Sequence, residues 1–427
     1  MNTATQNRVN SAQIYARACK VFPGGVNSPV RAFKNVEMLP LIAREGKEDM
    51  LWDEEGNQYI DFCSFWGALM LGHANKKVAQ RIAEQLPHGM AFGTTSMHEI
   101  LLGEKILSHF PSCEKIRFVV TGTEATMSAI RIARRVTERS LIVKFDGQYH
   151  GHSDALLVAA GSGAASIASG IEKEHVCQTV SLPFNEIETC RTFLRMQTDL
   201  AAVIVEPVSA NMGVIAAEPG FLEMLREETT RLGALLIFDE IVTGYRSSLG
   251  GVSSQCGIIP DLTCLGKIIG GGLPVAAFGG KREYMDQLAP FGDIYQAGTF
   301  AGHPIGMIAG LETLNILEEK RSYSELLEAT ESFLKPMREV VADRDLPIVI
   351  HAFGSMFSFF FGIRSVRGWK EVSTIDKGMF RAFYTYLFER GIYFSPSPYE
   401  AQFVTFAHSH KHLEDVQAII CEFLFLM

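Results

Sequence analysis

The middle of the chain repeats one pattern: a short apolar run, then a longer amphipathic stretch. The runs are Ile116-Arg117-Phe118-Val119-Val120, Leu141-Ile142-Val143-Lys144-Phe145, Ala202-Val203-Ile204-Val205 and Ala234-Leu235-Leu236-Ile237-Phe238. Each is nearly continuous in apolar character, as strands buried on both faces are. Between them, Glu124 to Arg135 and Gly220 to Leu232 carry helical patterns. Strands alternating with helices predict an α/β fold around a mainly parallel sheet.

The flanks have other textures. Up to about residue 68 there are turns at Pro23-Gly24-Gly25 and Glu54-Glu55-Gly56-Asn57. The second joins Asp49-Met50-Leu51-Trp52-Asp53 to Gln58-Tyr59-Ile60-Asp61-Phe62 as a small hairpin. Beyond residue 310, helices are expected from about Ile305 to Lys320 and near Ser324 to Arg344, then strand-like pieces at Ser355 to Phe361 and Gln402 to Ala407. The expected division is an N-terminal segment over 1–68, a large α/β domain over 69–310 and a smaller α+β domain over 311–427. The small-residue stretch Gly161 to Gly170 reads as a mobile loop.

Composition narrows the class. The chain has 427 residues, 47% hydrophobic and 20% charged, enough for two domains and a large core. A formal net charge of −9, with no clustered basic stripe, argues against a nucleic-acid partner. The 8 cysteines lack Cys-x-x-Cys spacing and read as free thiols in a reducing compartment. The polar start, Met1 to Asn7, lacks a signal-peptide core, and no apolar stretch reaches the roughly 20 residues of a membrane span. A cytoplasmic setting is expected.

In such sheets, ligands gather at the carboxyl ends of strands. Thr121, Tyr149, Glu206 and Asp239 each follow one of the runs. Lys267 stands among apolar and glycine neighbours in Leu265-Gly266-Lys267-Ile268-Ile269-Gly270-Gly271-Gly272. Desolvation would lower its pKa and make it a better amine nucleophile; the alternative is a surface lysine in a Gly-rich loop. Asp239-Glu240 ends an apolar strand, where a carboxylate without a cationic partner is expensive. A pyridinium nitrogen is such a partner, and an acid followed by a desolvated lysine is what a pyridoxal phosphate enzyme needs. A structural ion pair is the alternative for the acid.

Thr121-Gly122-Thr123-Glu124 fits a capping box, and the helix start behind it can hold a phosphate or be simply a capped helix. In Gln148-Tyr149-His150-Gly151-His152, Tyr149 could stack on a planar ring; the i, i+2 histidines make a weak metal site and read as structural. Glu206-Pro207-Val208 and Asn211-Met212-Gly213 form a turn that could touch a cofactor ring or serve as turn chemistry alone. Arg31 lies in the Pro-bounded stretch Phe22 to Phe33 and suits carboxylate recognition; a surface salt bridge is its alternative.

Together these residues resemble the fold-type I pyridoxal phosphate enzymes of the class III aminotransferase group, above all in Leu236-Ile237-Phe238-Asp239-Glu240-Ile241-Val242-Thr243-Gly244-Tyr245-Arg246 with Lys267 downstream. Within the group the chain is similar to the glutamate-1-semialdehyde aminomutases in Phe22 to Phe33, Gly122 to Arg131, Tyr149 to His152, Asn211 to Val214, Gly270 to Pro274 and Gln296 to Thr299. The resemblance covers nearly the whole chain. It implies a fold-type I transferase with Lys267 as the Schiff-base lysine and Asp239 as the pyridinium partner. Thr121, Gly122 and Thr123 would hold the phosphate, Tyr149 would stack on the ring, and Glu206 and Asn211 would line its edge. Thr299 would reach the phosphate of a neighbouring subunit, which implies a homodimer. Ser28 and Arg31 would take the substrate carboxylate, with Trp66 and Glu400 lining the pocket.

The implied reaction, in tetrapyrrole synthesis, is an internal amino exchange. Pyridoxamine phosphate gives its amine to the aldehyde carbon of glutamate-1-semialdehyde, yielding diaminovalerate and pyridoxal phosphate. The other amine then returns to the cofactor and 5-aminolevulinate leaves, with Lys267 moving protons. Three departures from the group's pattern stand out. Val120-Thr121 replaces Asn-Ser, keeping a hydroxyl; Ala301-Gly302-His303-Pro304 replaces Ser-Gly-Asn-Pro; and the loop after Gly161-Ser162-Gly163 is shorter and proline-free up to Pro183. A lid of that kind retains intermediates. Two rivals stand beside this reading: an ordinary transaminase with separate donor and acceptor, and a non-catalytic homologue.

Overall fold

The computed structural model describes residues 8–161, 178–319 and 323–427. At its centre, seven strands form one sheet: β1 (Lys115–Val119), β2 (Leu141–Phe145), β3 (Thr179–Leu182), β4 (Leu200–Val205), β5 (Leu235–Glu240), β6 (Leu262–Leu265) and β7 (Ala276–Gly280). Their order across the sheet is β1-β7-β6-β5-β4-β2-β3. All pairings are parallel except the two made by β7, which runs antiparallel to β6 and β1. Four of these strands match the apolar runs of the sequence within a few residues. The others escape that pattern because Thr179–Leu182 and Leu262–Leu265 interleave hydroxyl and thiol residues, and Ala276–Gly280 ends in two glycines.

The strand alternation sorts the core into two layers. Ile142, Ile204 and Ile237 face one side with Ala125, Ala129 and Ile132 of the helix Gly122–Thr137. Val143, Val203, Leu236 and Phe238 face the other, against Phe221 and Leu225 of the helix Phe221–Leu232. Successive residues of a strand point to opposite faces, so runs apolar at every position must be covered on both. Burial of such side chains at about 25 cal/mol per Å² is the main stabilising term. The helix Gly122–Thr137 crosses the sheet over β7, β6 and β4, which places its N-terminus above the carboxyl ends of the central strands.

The hairpin expected near residues 49–62 forms between Met50–Asp53 and Gln58–Asp61. Asp53 holds its turn: Oδ1 accepts from the Asn57 amide at 2.8 Å and Oδ2 from the Asn57 side chain at 2.8 Å. Ala43–Lys47 pairs on one side, and Ile392–Tyr393 adds in parallel on the other. The N-terminal strands therefore share a sheet with the C-terminal region. They also share its aromatic core, where Phe62 packs on Phe333, Phe357 and Phe394.

The helices expected after residue 304 are Pro304–Glu319 and Tyr323–Asp343. The strand-like stretch Gln402 to Ala407 is corrected: only Gln402–Phe403 pairs, with Met356–Phe357, and the Thr405 amide instead donates to His408 Nδ1 at 3.0 Å. That local hydrogen bond competes with continued strand pairing. Apart from Gly161, the small-residue loop read as mobile lies outside the described residues. No helix among the described residues is long and apolar enough to cross a membrane.

Candidate active site

The carboxyl ends of the strands open into a cavity of about 510 Å³. Arg31, Trp66, Gly122, Thr123, Tyr149, Glu206, Asn211, Asp239 and Lys267 all line it. Residues drawn from sequence positions 31 to 267 thus meet in one place.

Lys267 follows β6 and opens the single turn Lys267–Gly270. Its φ is 48°, in the left-handed region that a side chain adopts only at a cost of about 1–3 kcal/mol. Helix Pro304–Glu319 backs the turn so closely that a Cβ at Gly310 would overlap the Ile269 carbonyl. Burial lowers the pKa of the Lys267 amine; Glu400, Glu206 and Asp239 oppose the fall and Arg246 adds to it. The amine is held near the cavity in a state suited to nucleophilic and proton-transfer chemistry.

Asp239 and Glu240 end β5 but have different tasks. Glu240 turns into the protein, where it accepts from the amides of Val252 at 2.8 Å and Ser253 at 3.1 Å. Asp239 faces the cavity; its Oδ1 accepts from the Ile241 amide at 3.1 Å and its Oδ2 meets His150 Nδ1 at 2.8 Å. A carboxylate only accepts, so Nδ1 of His150 carries the proton. Burial lowers the His150 pKa, against the opposing pull of Asp239. From the sequence, His150 and His152 read as structural; His150 lines the cavity, and His152 does not. His152 Nδ1 lies 3.2 Å from the Thr123 hydroxyl. For His150, adjacency to Tyr149, in a segment that follows a strand, was the available signal.

Glu206 takes the Tyr149 amide on Oε1 at 2.8 Å, and the Ala210 amide and Asn211 Nδ2 on Oε2, each at 3.0 Å. It thereby fixes the loop carrying Tyr149 against the turn carrying Asn211. Burial, then the nearby Asp239 charge, pushes its pKa from 4.5 to about 7. A carboxyl whose pKa is raised on folding stabilises most below its unfolded value and loses that contribution as pH rises through the folded one. The melting temperature should therefore fall more steeply between pH 5 and about 8 in the wild type than in Glu206→Gln. Equal slopes in a thermal-melt series would count against a proton on Glu206.

The helix start also departs from expectation in one residue. Gly122 and Thr123 line the cavity, but Thr121 does not. Its hydroxyl accepts from the Glu124 amide at 3.2 Å, while Glu124 Oε2 takes the amides of Val120 and Thr121 at 2.8 and 2.9 Å. This is the capping box read from the sequence, and it occupies the threonine that phosphate binding was expected to use. Gly151 is required close by: at φ +86° a Cβ there would stand 2.6 Å from Thr123 Cα.

Trp66 reaches the cavity on an unusual support. Ser64, Phe65, Trp66 and Gly67 all have positive φ (46°, 52°, 59° and 82°), a left-handed turn that side chains disfavour. Asp61 holds its start: Oδ1 accepts from the amides of Cys63 at 2.8 Å and Ser64 at 2.9 Å, and Oδ2 meets His73 Nε2 at 2.7 Å. Ser28 does not line the cavity; it opens the turn Pro29–Ala32 that carries Arg31 to it. Glu400 is half-buried and close enough to act electrostatically on Lys267 and Tyr149. Thr299 is exposed on the surface, away from its own chain's cavity. In Ala301-Gly302-His303-Pro304, the His303 carbonyl accepts from the Met307 amide at 3.0 Å, at the start of the helix Pro304–Glu319.

Residues 32–406 match the class-III aminotransferase family. The chain belongs to that family. Among relatives of this class-III aminotransferase, a protein of Aquifex aeolicus named glutamate-1-semialdehyde 2,1-aminomutase is 45% identical over 412 residues, covering 95% of this chain and 97% of its own. One of the same name from Protochlamydia amoebophila is 44% identical over 426 residues, covering 98% and 99%. Of solved structures, an omega-transaminase from Sphaerobacter thermophilus superposes with a TM-score of 0.91 at 31% identity, over 100% of this chain and 99% of that one. A glutamate-1-semialdehyde-aminomutase from Pseudomonas aeruginosa PAO1 gives 0.87 at 24% identity, over 97% and 94%, a likeness of fold. The fold is thus shared by transaminases and aminomutases, and what separates them must lie in the site.

Proposed function

We propose that this class-III aminotransferase is a pyridoxal phosphate-dependent aminomutase that converts glutamate-1-semialdehyde to 5-aminolevulinate through diaminovalerate, in tetrapyrrole synthesis. The name shared by its relatives at 44–46% identity supports this. The observation that carries it is the charge inventory of the cavity. Arg31 is the one arginine lining it among the described residues. Glutamate-1-semialdehyde has a single carboxylate, which one arginine can pair bidentately. A transaminase working on dicarboxylic acids must bind two.

The residues fit the cofactor. Gly122 and Thr123 offer a helix N-terminus to a phosphate, with His152 on the Thr123 hydroxyl, while Thr121 caps the helix. The buried Asp239, backed by His150, fits a protonated ring nitrogen, and Tyr149, Asn211 and Glu206 fit the ring's face and edge. When bound, the pyridoxal or pyridoxamine phosphate ring supplies an electron sink. Lys267 would hold the pyridoxal form, and its amine would accept and donate the protons that the amino exchange requires. Arg31, carried by the turn that Ser28 opens, binds and orients the carboxylate, and Trp66 with Glu400 shapes the wall. The decisive test is to incubate the purified protein with the semialdehyde and no amino donor. Catalytic 5-aminolevulinate formation is expected, because substrate and product are isomers. Turnover only with a separate donor would leave an ordinary transaminase.

The proposal includes a homodimer. Leu86, Met90, Phe92, Met97, Ile100 and Leu101 from one stretch, and Phe291, Tyr295 and Phe300 from another, are exposed. Ile100 and Gln296–Gly298 border one open groove, so the two stretches adjoin. Apolar surface of this extent is suited to a partner of the same kind. Thr299 sits within it and would serve the partner's phosphate site. Ile100→Asp with Phe300→Asp should weaken association about 100-fold or more, as loss of central apolar anchors does. Sedimentation showing an unchanged dimer would contradict that placement.

A further inference from the structure

Arg246 is among the largest fully buried side chains of the protein. Among the described residues it has no carboxylate partner, and its Nε has no hydrogen-bond partner at all. A buried cation without a counter-ion is costly, more so than an apolar side chain of similar volume. Burial brings its pKa down to about 10, which leaves it charged near neutrality.

Its contacts explain what the charge is for. One Nη donates to the Gly67 carbonyl, the end of the left-handed turn that carries Phe65 and Trp66. The other meets Met70 Sδ at 3.1 Å and the Ser355 hydroxyl at 3.5 Å. The guanidinium lies over the Phe403 ring, 4.9 Å from its centroid. Gly67 is packed into the same junction: a Cβ there would stand 2.6 Å from the Phe403 ring and 3.1 Å from Arg246 Nη2. Arg246 itself belongs to the loop that follows β5, the strand ending in Asp239-Glu240. One side chain therefore joins the loop of the cofactor acid, the turn of the cavity wall and two C-terminal segments.

We propose that Arg246 is a positioning residue for the substrate cavity: its guanidinium holds the Gly67 carbonyl and so sets the turn that aims Phe65 and Trp66 at the substrate. Asp61 fixes the start of that turn and Arg246 its end. The inference rests on the aminomutase reading of this cavity.

A double-mutant cycle in the holoenzyme tests it, using Arg246→Lys, Trp66→Phe and the pair. Each single variant should raise KM for the semialdehyde about 10- to 100-fold, the effect of a substrate contact displaced by about 1 Å. The visible absorbance of lysine-bound pyridoxal phosphate should persist in both. If Arg246 acts through the turn, the pair should be no worse than the weaker single variant. KM effects that multiply, or an Arg246→Lys variant that loses only melting temperature, would overturn it. Should Arg246→Lys not fold, Phe403→Leu loosens the guanidinium from its other side and carries the same cycle. A wild type without donor-free turnover removes the aminomutase assignment and this inference with it; donor-free turnover with multiplying effects removes the inference alone.

Discussion

Lys267→Ala should abolish the visible absorbance of lysine-bound pyridoxal phosphate and lower kcat about 10³- to 10⁴-fold, the upper range for loss of an acid–base group. On the proposed reading, the substitution removes both a covalent anchor and a proton carrier. Lys144, fully buried, spends its amine on the carbonyls of Gln148 at 3.0 Å and Val158 at 2.5 Å within the protein. It does not line the cavity. Absorbance unchanged in the alanine variant would mean that the cofactor is held by another amine, and the placement of the site would fall. Parallel measurement of kcat without an amino donor separates loss of binding from loss of chemistry.

Asp239→Asn should lower kcat about 10³-fold while the lysine-bound absorbance is retained, a size typical of losing a preorganised electrostatic partner. Asparagine keeps the volume and can still accept from the Ile241 amide. It cannot carry the negative charge that holds a ring nitrogen protonated, and an electron sink needs that proton. The melting temperature should be unchanged or higher, because a buried charge has been removed. A kcat close to wild type would show that the ring nitrogen does not depend on Asp239. Loss of activity together with a collapsed melting temperature would point to a structural role instead.

Much of this site was legible in the sequence because its residues follow apolar strands. Asp239 and Glu206 come directly after runs buried on both faces, and Tyr149 only a few residues after one, so periodicity alone put them at the strand ends. Lys267 was legible by contrast, as a cation in a stretch without other polar groups. Three features were not legible. The order of the strands depends on Ala276–Gly280 entering antiparallel, and two glycines give that strand no apolar signature. The engagement of Thr121 depends on a choice between two uses of one hydroxyl, and only geometry decides it. The support of Trp66 depends on four residues in left-handed conformation, three of which are not glycine. Such conformations are set by hydrogen-bonding partners, here the nearby Asp61 with His73 and the distant Arg246, and leave no pattern of apolar and polar positions.

The sheet shared by Gln58–Asp61 and Ile392–Tyr393 has a consequence for biosynthesis. The first strands leave the ribosome with an open edge that almost all of the remaining chain must be made before it can close. Until then they offer unpaired amides and carbonyls to any passing strand. Domains of this size commonly pass through such exposed intermediates. The charged strand Ala43–Lys47, carrying Arg44, Glu45 and Lys47, guards the opposite edge throughout. The vulnerable interval of this protein therefore lies in its synthesis, and the arrival of Ile392–Tyr393 ends that interval.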